Sequence, residues 1–222
     1  MSYPTSFLER HRPTAISELV FADDAASDEI HAQLSRALPR SILLYGPFGT
    51  GKTATAKVFA NTILDDTYNF NGKFWTGSEF VSVSKVAEVR SFFSYTAVCA
   101  RFRAGIIDEL HAMPFGAQMA LRDVMDSIGG SAVLIGTAND LSKVDAGVLD
   151  RFTQIYWGQP APTRWLPRAR QILAAEGLMV PDATLLSVLT DAGSSIRSIM
   201  RNLEDLVEMA RNNDHQQSTG AP

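Results

Sequence analysis

The chain has 222 residues, enough for one medium domain or for one domain with a small satellite, and its 45% hydrophobic and 20% charged residues are ordinary for a globular protein. Its single cysteine, Cys99, excludes an internal disulfide and a multi-cysteine metal site, its four histidines show no ligand spacing, and its net charge of −4 excludes a surface that is basic throughout for nucleic acid. No run approaches the roughly 20 apolar residues of a membrane span, and the N-terminus lacks the apolar core of a secretory signal. The expectation is a protein of the cytoplasm, a host's if the gene is viral, with no membrane partner. Cys99 is expected to be a small buried hydrophobe.

Residues 1–22 carry Pro4 and Pro13 and little periodicity, which predicts an extended lead-in. Ile30, Leu34 and Leu38 recur at spacing four, which predicts an amphipathic helix from Asp23 to Leu38 that Pro39 ends. SILLY (41–45) has strand length. GPFGTGKT (46–53) follows at once and fits the G-x-x-x-x-G-K-[ST] pattern. Gly46, Pro47, Phe48, Gly49, Thr50 and Gly51 form a loop whose N–H groups can turn toward the phosphates of ATP. Lys52 then reaches the outer phosphates, and Thr53 ligates Mg²⁺ at the start of a helix running to about Leu64.

A polar loop is expected over 65–72, a strand with an internal turn over 73–83, and a helix over 86–98. AGIID (104–108) reads as a strand that ends in two acids, Asp108 and Glu109. A strand buried on both faces carries carboxylates only at its end, and in this class of fold that end faces the nucleotide. Asp108 is read as the Mg²⁺ ligand and Glu109 as the base for the attacking water. A helix over 114–128 stops at Gly129-Gly130. The next strand (131–137) leads to Asn139, which is either placed beside the γ-phosphate or part of an ordinary Asn-Asp turn.

A short helix over 146–151 ends at Arg151, readable as a cation on a helix end or as an arginine finger on a neighbour's ATP. A fifth strand covers 153–157. After Gly158-Gln159-Pro160 only helices are expected, over 163–175, 182–191 and 195–211. Ser194 or Ser195 caps the last one. Arg197 stands in its first turn, against the helix dipole, which points to an anionic ligand nearby.

The predicted fold is α/β, a P-loop module with a five-stranded parallel sheet flanked by helices (1–158), a small all-helical lid (159–212) and a disordered tail (213–222). The ordered set ERHRPTAISELV, GPFGTGKT, GIIDEL, TAND, VLDRFTQIYWGQP and SSIRSIMRNL resembles the clamp-loader ATPase subunits of the AAA+ superfamily, most nearly the phage-type large subunit. The resemblance covers about residues 8–211. It implies that Arg12, Pro13 and Val20 line the adenine side, that Asn139 is sensor 1, Arg197 sensor 2 and Arg151 the trans-acting finger. Two departures stand out: Asp150-Arg151-Phe152 replaces the family's Ser-Arg-Cys, and His111 replaces the last acid of D-E-x-D. Such subunits normally continue into a helical collar, which is expected to be lacking here.

The function expected is an ATPase that forms a ring or spiral of copies on double-stranded or primed DNA and loads or recruits a partner such as a sliding clamp. An alternative is a DNA-binding adaptor, of the transposition or recombination type, that binds ATP with little turnover. A Holliday-junction motor shares the lead-in but needs a winged DNA-binding domain. With an acidic chain, DNA must be met by a local basic patch, for which Lys85, Arg90, Arg101 and Arg103 are the candidates.

Overall fold

Five strands, β1 (Ile42–Tyr45), β2 (Gly72–Thr76), β3 (Arg103–Asp108), β4 (Ala132–Ala138) and β5 (Thr153–Tyr156), form one parallel sheet in the order β2-β3-β4-β1-β5. The computed structural model describes residues 6–193 and 195–219. Alternate residues of the central strands face opposite sides. Leu43, Ile107 and Leu134 pack into one apolar layer, while Ile42, Leu44, Ile106 and Ile135 pack into the other. Both faces are covered, as parallel strands require. The register sets Leu43 beside Gly136 and Gly136 beside Ile107, so the C-terminal ends of β1, β4 and β3 lie side by side.

The helices are, in chain order, α1 (Phe7–Arg10), α2 (Asp24–Leu34), α3 (Lys52–Leu64), α4 (Tyr68–Asn71), α5 (Val83–Ser94), α6 (Phe115–Ser127), α7 (Ala146–Leu149), α8 (Pro162–Ala175), α9 (Asp182–Asp191) and α10 (Ile196–Thr219). Asp23 caps α2 by accepting the Ala26 N–H at 2.9 Å. The last three helices build a separate apolar cluster around Trp165, Leu185 and Leu203. Among the described residues no helix is long and apolar enough to cross a membrane.

Several local expectations are corrected. The lead-in is not wholly extended: it holds α1 and a 3-10 turn at Ile16–Glu18. Phe7, 2% exposed, packs into the cluster of the last three helices, so the N-terminal segment crosses the expected boundary. Helix α2 stops at Leu34 rather than Leu38: the Ser35 hydroxyl donates to the His31 carbonyl at 2.9 Å, and the buried Gln33 amide oxygen accepts the Arg40 N–H at 2.9 Å. Residues 65–72 are a 3-10 turn followed by α4, not a plain loop. The buried Asn71 fixes this corner through the Val98 carbonyl (2.7 Å) and N–H (2.8 Å). Strand β2 ends at Thr76, where Glu79 accepts the Thr76 N–H at 3.1 Å and turns the chain.

Helix α5 begins and ends earlier than predicted, leaving 95–102 as a connection. Cys99 lies there, exposed and with φ +54°, so it is not the buried hydrophobe expected. Helix α10 runs to Thr219, into the segment expected to be a disordered tail, since no proline or glycine interrupts it before Gly220. Ser194, one of the two expected caps, and residues 220–222 lie outside the described residues.

Candidate active site

The loop after β1 leads into α3 through Gly51, whose φ of +86° is left-handed and natural only to glycine. Lys52, the first residue of α3, is 7% exposed and donates through Nζ to the carbonyls of Gly46 (2.9 Å) and Pro47 (2.6 Å). Burial lowers its ammonium to about 8, and the charges of Asp108 and Glu109 pull only part of the way back. An amine held this way, with no carboxylate hydrogen-bonded to it, is a receptor for an anion.

One turn of chemistry joins the ends of three elements. Thr53 Oγ1, on α3, donates to Asp108 Oδ1 at 2.7 Å. Thr137 Oγ1, on β4, donates to the same oxygen at 2.6 Å. The Glu109 N–H donates to Thr137 Oγ1 at 2.9 Å. Glu109 itself has φ +54° and ψ +48°, a left-handed conformation that costs a side-chain-bearing residue roughly 1–2 kcal/mol. Its carbonyl accepts from the Ala112 N–H at 2.7 Å. A Cβ on Gly77 would stand 2.2 Å from that carbonyl oxygen, so only glycine fits opposite it.

These groups line a cavity of about 310 Å³ together with Arg12, Pro13 and Val20 of the lead-in, Asn139 beyond β4, and Trp165, Arg197 and Met200 of the last helices. Sequence reasoning placed residues 46–53, Asp108, Glu109, Asn139 and Arg197 around one site; the fold brings Phe48 to Thr53, Asp108, Glu109, Asn139 and Arg197 to this cavity, while Gly46 and Pro47 do not line it and instead accept Lys52 Nζ through their carbonyls. Asn139 is half-buried, with its N–H 3.4 Å from His111 Nδ1. Arg12 is exposed and paired with Glu9 at 2.8 Å. Phe48 is 76% exposed at the tip of the loop.

The lid reaches the loop directly: the Ile196 N–H donates to the Gly49 carbonyl at 3.0 Å. The Trp157 indole N–H donates to the Thr50 carbonyl at 2.9 Å from inside the core. On the lead-in side, burial works to raise the Glu18 carboxyl, but the Thr14 N–H, the Arg168 guanidinium and the Ala15 N–H outweigh it and hold Glu18 at about 2. Arg168 meets Glu18 at 2.7 Å and the His11 carbonyl at 3.2 Å. Glu176, at the end of α8, gathers His11 (2.7 Å), Arg10 (3.0 Å) and Arg211 (2.7 Å).

Arg151 is not in this cavity. Its guanidinium grips Asp126 at 2.6 Å through both Nε and Nη2, and Nη1 donates to the Gly147 carbonyl. The candidate DNA residues divide. Lys85 pairs with Glu88 at 2.7 Å. Arg103 donates to the Phe92 carbonyl at 3.0 Å and stacks over the Phe92 and Tyr95 rings. Arg90 and Arg101 are exposed and form no ion pair among the described residues. Sequence reasoning missed Thr137, Trp157, Arg168 and Glu18. The signal for Thr137 was present: a hydroxyl inside the apolar run LIGTA needs a buried partner.

The oxygen donors Thr53 and Asp108 suit a hard cation such as Mg²⁺, which takes few protein ligands and completes its shell with phosphates and water. Among the described residues no group of three or more His, Cys, Asp or Glu is placed to hold a metal ion. Residues 42–159, more than half of the chain, match the model of the ATPase family associated with various cellular activities (AAA).

The chain belongs to the AAA family.

This AAA ATPase is related to replication factor C subunits. It is 25% identical over 201 residues to the probable replication factor C subunit 2 of Dictyostelium discoideum, covering 89% of this chain and 59% of that one. It is 26% identical over 200 residues to replication factor C small subunit 2 of Pyrobaculum islandicum, covering 89% and 62%. The chain thus spans about three-fifths of the length of these curated relatives. Among solved structures, the RuvB Holliday junction branch migration motor of Thermotoga maritima superposes with a TM-score of 0.76 at 16% identity, covering 93% of this chain and 68% of that one. Domain III of the replication initiation protein DnaA from the same organism gives 0.65 at 17% identity, covering 90% of each. At such identity these likenesses speak for the AAA fold alone.

Proposed function

We propose that this chain binds and hydrolyses ATP as one subunit of an oligomer on double-stranded or primed DNA, and that it loads or recruits a replication-type partner such as a sliding clamp. The observation that carries the hydrolytic reading is the Thr53–Asp108–Thr137–Glu109 set beside a buried Lys52 in one cavity. Lys52 and the loop N–H groups bind the outer phosphates. Thr53 and Asp108 hold Mg²⁺, which when bound neutralises charge on the phosphates. Glu109 takes the proton of the attacking water and Asn139 orients that water. Arg197 meets the γ-phosphate from the lid, residues 159–212, and Arg12, Pro13 and Val20 receive the base. Arg151, outside its own subunit's cavity, serves a neighbour's ATP, with Asp126 holding it ready.

Relatedness to replication factor C subunits supports the clamp-loading reading, and the order of motifs supports the phage-type large subunit within that group. The work is placed in the cytoplasm, a host's if the gene is viral. DNA phosphates are assigned to Arg90 and Arg101 first, and to Lys85 and Arg103 after they leave Glu88 and Phe92. The test is the ATPase rate with and without primed DNA, together with particle mass in ATP. A multi-copy particle whose turnover rises with DNA supports the proposal. A low rate that DNA leaves unchanged overturns it in favour of an ATP-binding adaptor.

A further inference from the structure

Thr137 has no role in the site as read from the motifs, yet its hydroxyl hydrogen-bonds both the Asp108 carboxylate and the Glu109 N–H. A hydroxyl has one proton and two lone pairs. Here the proton goes to Asp108 Oδ1 (2.6 Å) and one lone pair receives the Glu109 N–H (2.9 Å). Thr137 is 2% exposed, so bulk water does not reach it to take over either bond. The residue lies on β4, next to β3 in the sheet, and is therefore fixed by a different strand from the one that carries the acids.

The backbone of Glu109 needs such a hold. Its left-handed φ and ψ break the line of β3, and the Gly77 backbone leaves no room for it to relax in that direction. A residue kept in a sparsely populated conformation persists only where its surroundings over-determine it. Of the two hydrogen bonds on the Glu109 peptide groups described above, the one its carbonyl accepts comes locally from the Ala112 N–H, whereas the one its N–H donates crosses to Thr137. The Thr137 contact therefore sets where Glu109 stands relative to β4 and to the Asp108–Thr53 pair.

We infer that Thr137 is a positioning residue for hydrolysis: its hydroxyl locks the Glu109 backbone and the Asp108 carboxylate into one geometry, without touching nucleotide itself. The inference rests on the reading of Glu109 as the base. A misplacement of about 1 Å at a reacting group costs on the order of 10²-fold in rate, so loss of this hydroxyl is expected to lower kcat by about tenfold to a hundredfold. Phosphate binding through Lys52 and the loop N–H groups does not pass through Thr137, so nucleotide affinity measured without Mg²⁺ is expected to stay within about threefold.

The experiment compares Thr137→Val, Thr137→Ser and Glu109→Gln in the full chain. It measures steady-state ATPase kinetics, the Kd of a fluorescent ATP analogue in the absence of Mg²⁺ and the Tm. The inference expects Thr137→Val to be slow with affinity retained, and Thr137→Ser, which keeps the hydroxyl, to turn over within about threefold of the parent. It is overturned if Thr137→Val keeps the parent rate while Glu109→Gln is inactive, if Thr137→Ser is as slow as Thr137→Val, or if affinity falls together with rate. Parent-like turnover by Glu109→Gln instead overturns the reading of Glu109 as the base, and the inference falls with it. If Thr137→Val does not fold, Thr137→Ser against Thr137→Ala isolates the same hydroxyl in two side chains that both lack the methyl: equal rates overturn the inference and a slower Ala variant supports it.

Discussion

The two walls of the nucleotide cavity are built in different ways. One wall is the loop after β1 with the ends of β3 and β4. It uses short side chains on buried elements, each within hydrogen-bond reach of the next: Thr53, Asp108, Thr137 and then Glu109. The other wall is the lead-in and the lid. It is joined by contacts between residues more than 140 positions apart, Arg168 with Glu18 and His11 with Glu176, and by Phe7 set into the lid's core. The first wall is held by the sheet, since β3 and β4, which carry Asp108 and Thr137, pair directly. The second is tied to the sheet domain by the Ile196–Gly49 backbone bond and by Ile16, Leu19 and Phe21 of the lead-in, which pack against the apolar layer that holds Ile42 and Leu44. Chemistry is expected to depend on the first wall, and the lid's position on the second.

The largest expected effect is on the first wall. Glu109→Gln keeps size and loses the base, so turnover should drop by about 10²- to 10⁴-fold. ATP affinity, followed by calorimetry, should stay within about threefold. Loss of affinity in step with rate would erase the contrast between binding and chemistry within this wall.

On the second wall the corresponding change is Phe7→Ala. Phe7 is buried against Trp165 and Leu203, and removing a buried phenyl ring costs about 3 kcal/mol or more. Calorimetry should show the loss, with the lead-in becoming protease-sensitive before the sheet domain. Uniform destabilisation of both domains would mean that α1 is not anchored chiefly in the cluster of the last three helices.

Lys52 gives a smaller signal that separates the walls by charge. Its ammonium is lowered to about 8 by burial, so above that pH the unliganded protein holds this group largely neutral. Phosphates favour the charged form, so ATP binding near pH 9 should take up part of a proton, and affinity should weaken as pH rises through 8. Titration calorimetry in buffers of different ionisation enthalpy measures this directly. Absence of uptake would place the phosphates elsewhere.

The smallest effect is expected from Glu18→Gln, at about 1 kcal/mol or less for an ion pair that is only partly buried. Glu18 is held at about 2 rather than its ordinary 4.5, so the folded state binds its proton less readily than the unfolded chain. Its contribution is complete above pH 4.5 and is lost as pH falls toward 2. Acid denaturation of the Gln variant should therefore be less steep over that range. An unchanged profile would show that Arg168 does not tie the lead-in to the lid.

The same division explains what could be read from the chain. The strands and the phosphate loop were legible because an apolar run, a Gly-rich turn and a helix are local in sequence, and the acids at the end of AGIID mark a strand end. Helix α3 runs from Lys52 to Leu64, as its pattern predicts. The contacts of the second wall were not legible. Nothing near Phe7 says that its ring enters a cluster formed by residues 165–207, and no local pattern pairs Glu18 with Arg168. Thr137 falls between: its polarity inside a buried strand was visible, but its partners depend on which strand lies next to β4. The Arg151–Asp126 grip was hidden for the same reason, as Asp126 lies on α6 and Arg151 in the turn after α7, which ends at Leu149 rather than at Arg151 as predicted.

The central claim is that ATP is hydrolysed at a site completed by a neighbouring copy, with Glu109 from one subunit and Arg151 from the next. Mixing Arg151→Ala with Glu109→Gln tests it most directly. Each variant alone should turn over at least about 10² more slowly than the parent in the presence of DNA. In mixed oligomers an intact Glu109 meets an intact Arg151 at some interfaces, and activity should return. Continued inactivity of the mixture, with both variants folded and assembled, would place Arg151 in its own subunit's chemistry or outside it, and would contradict the account.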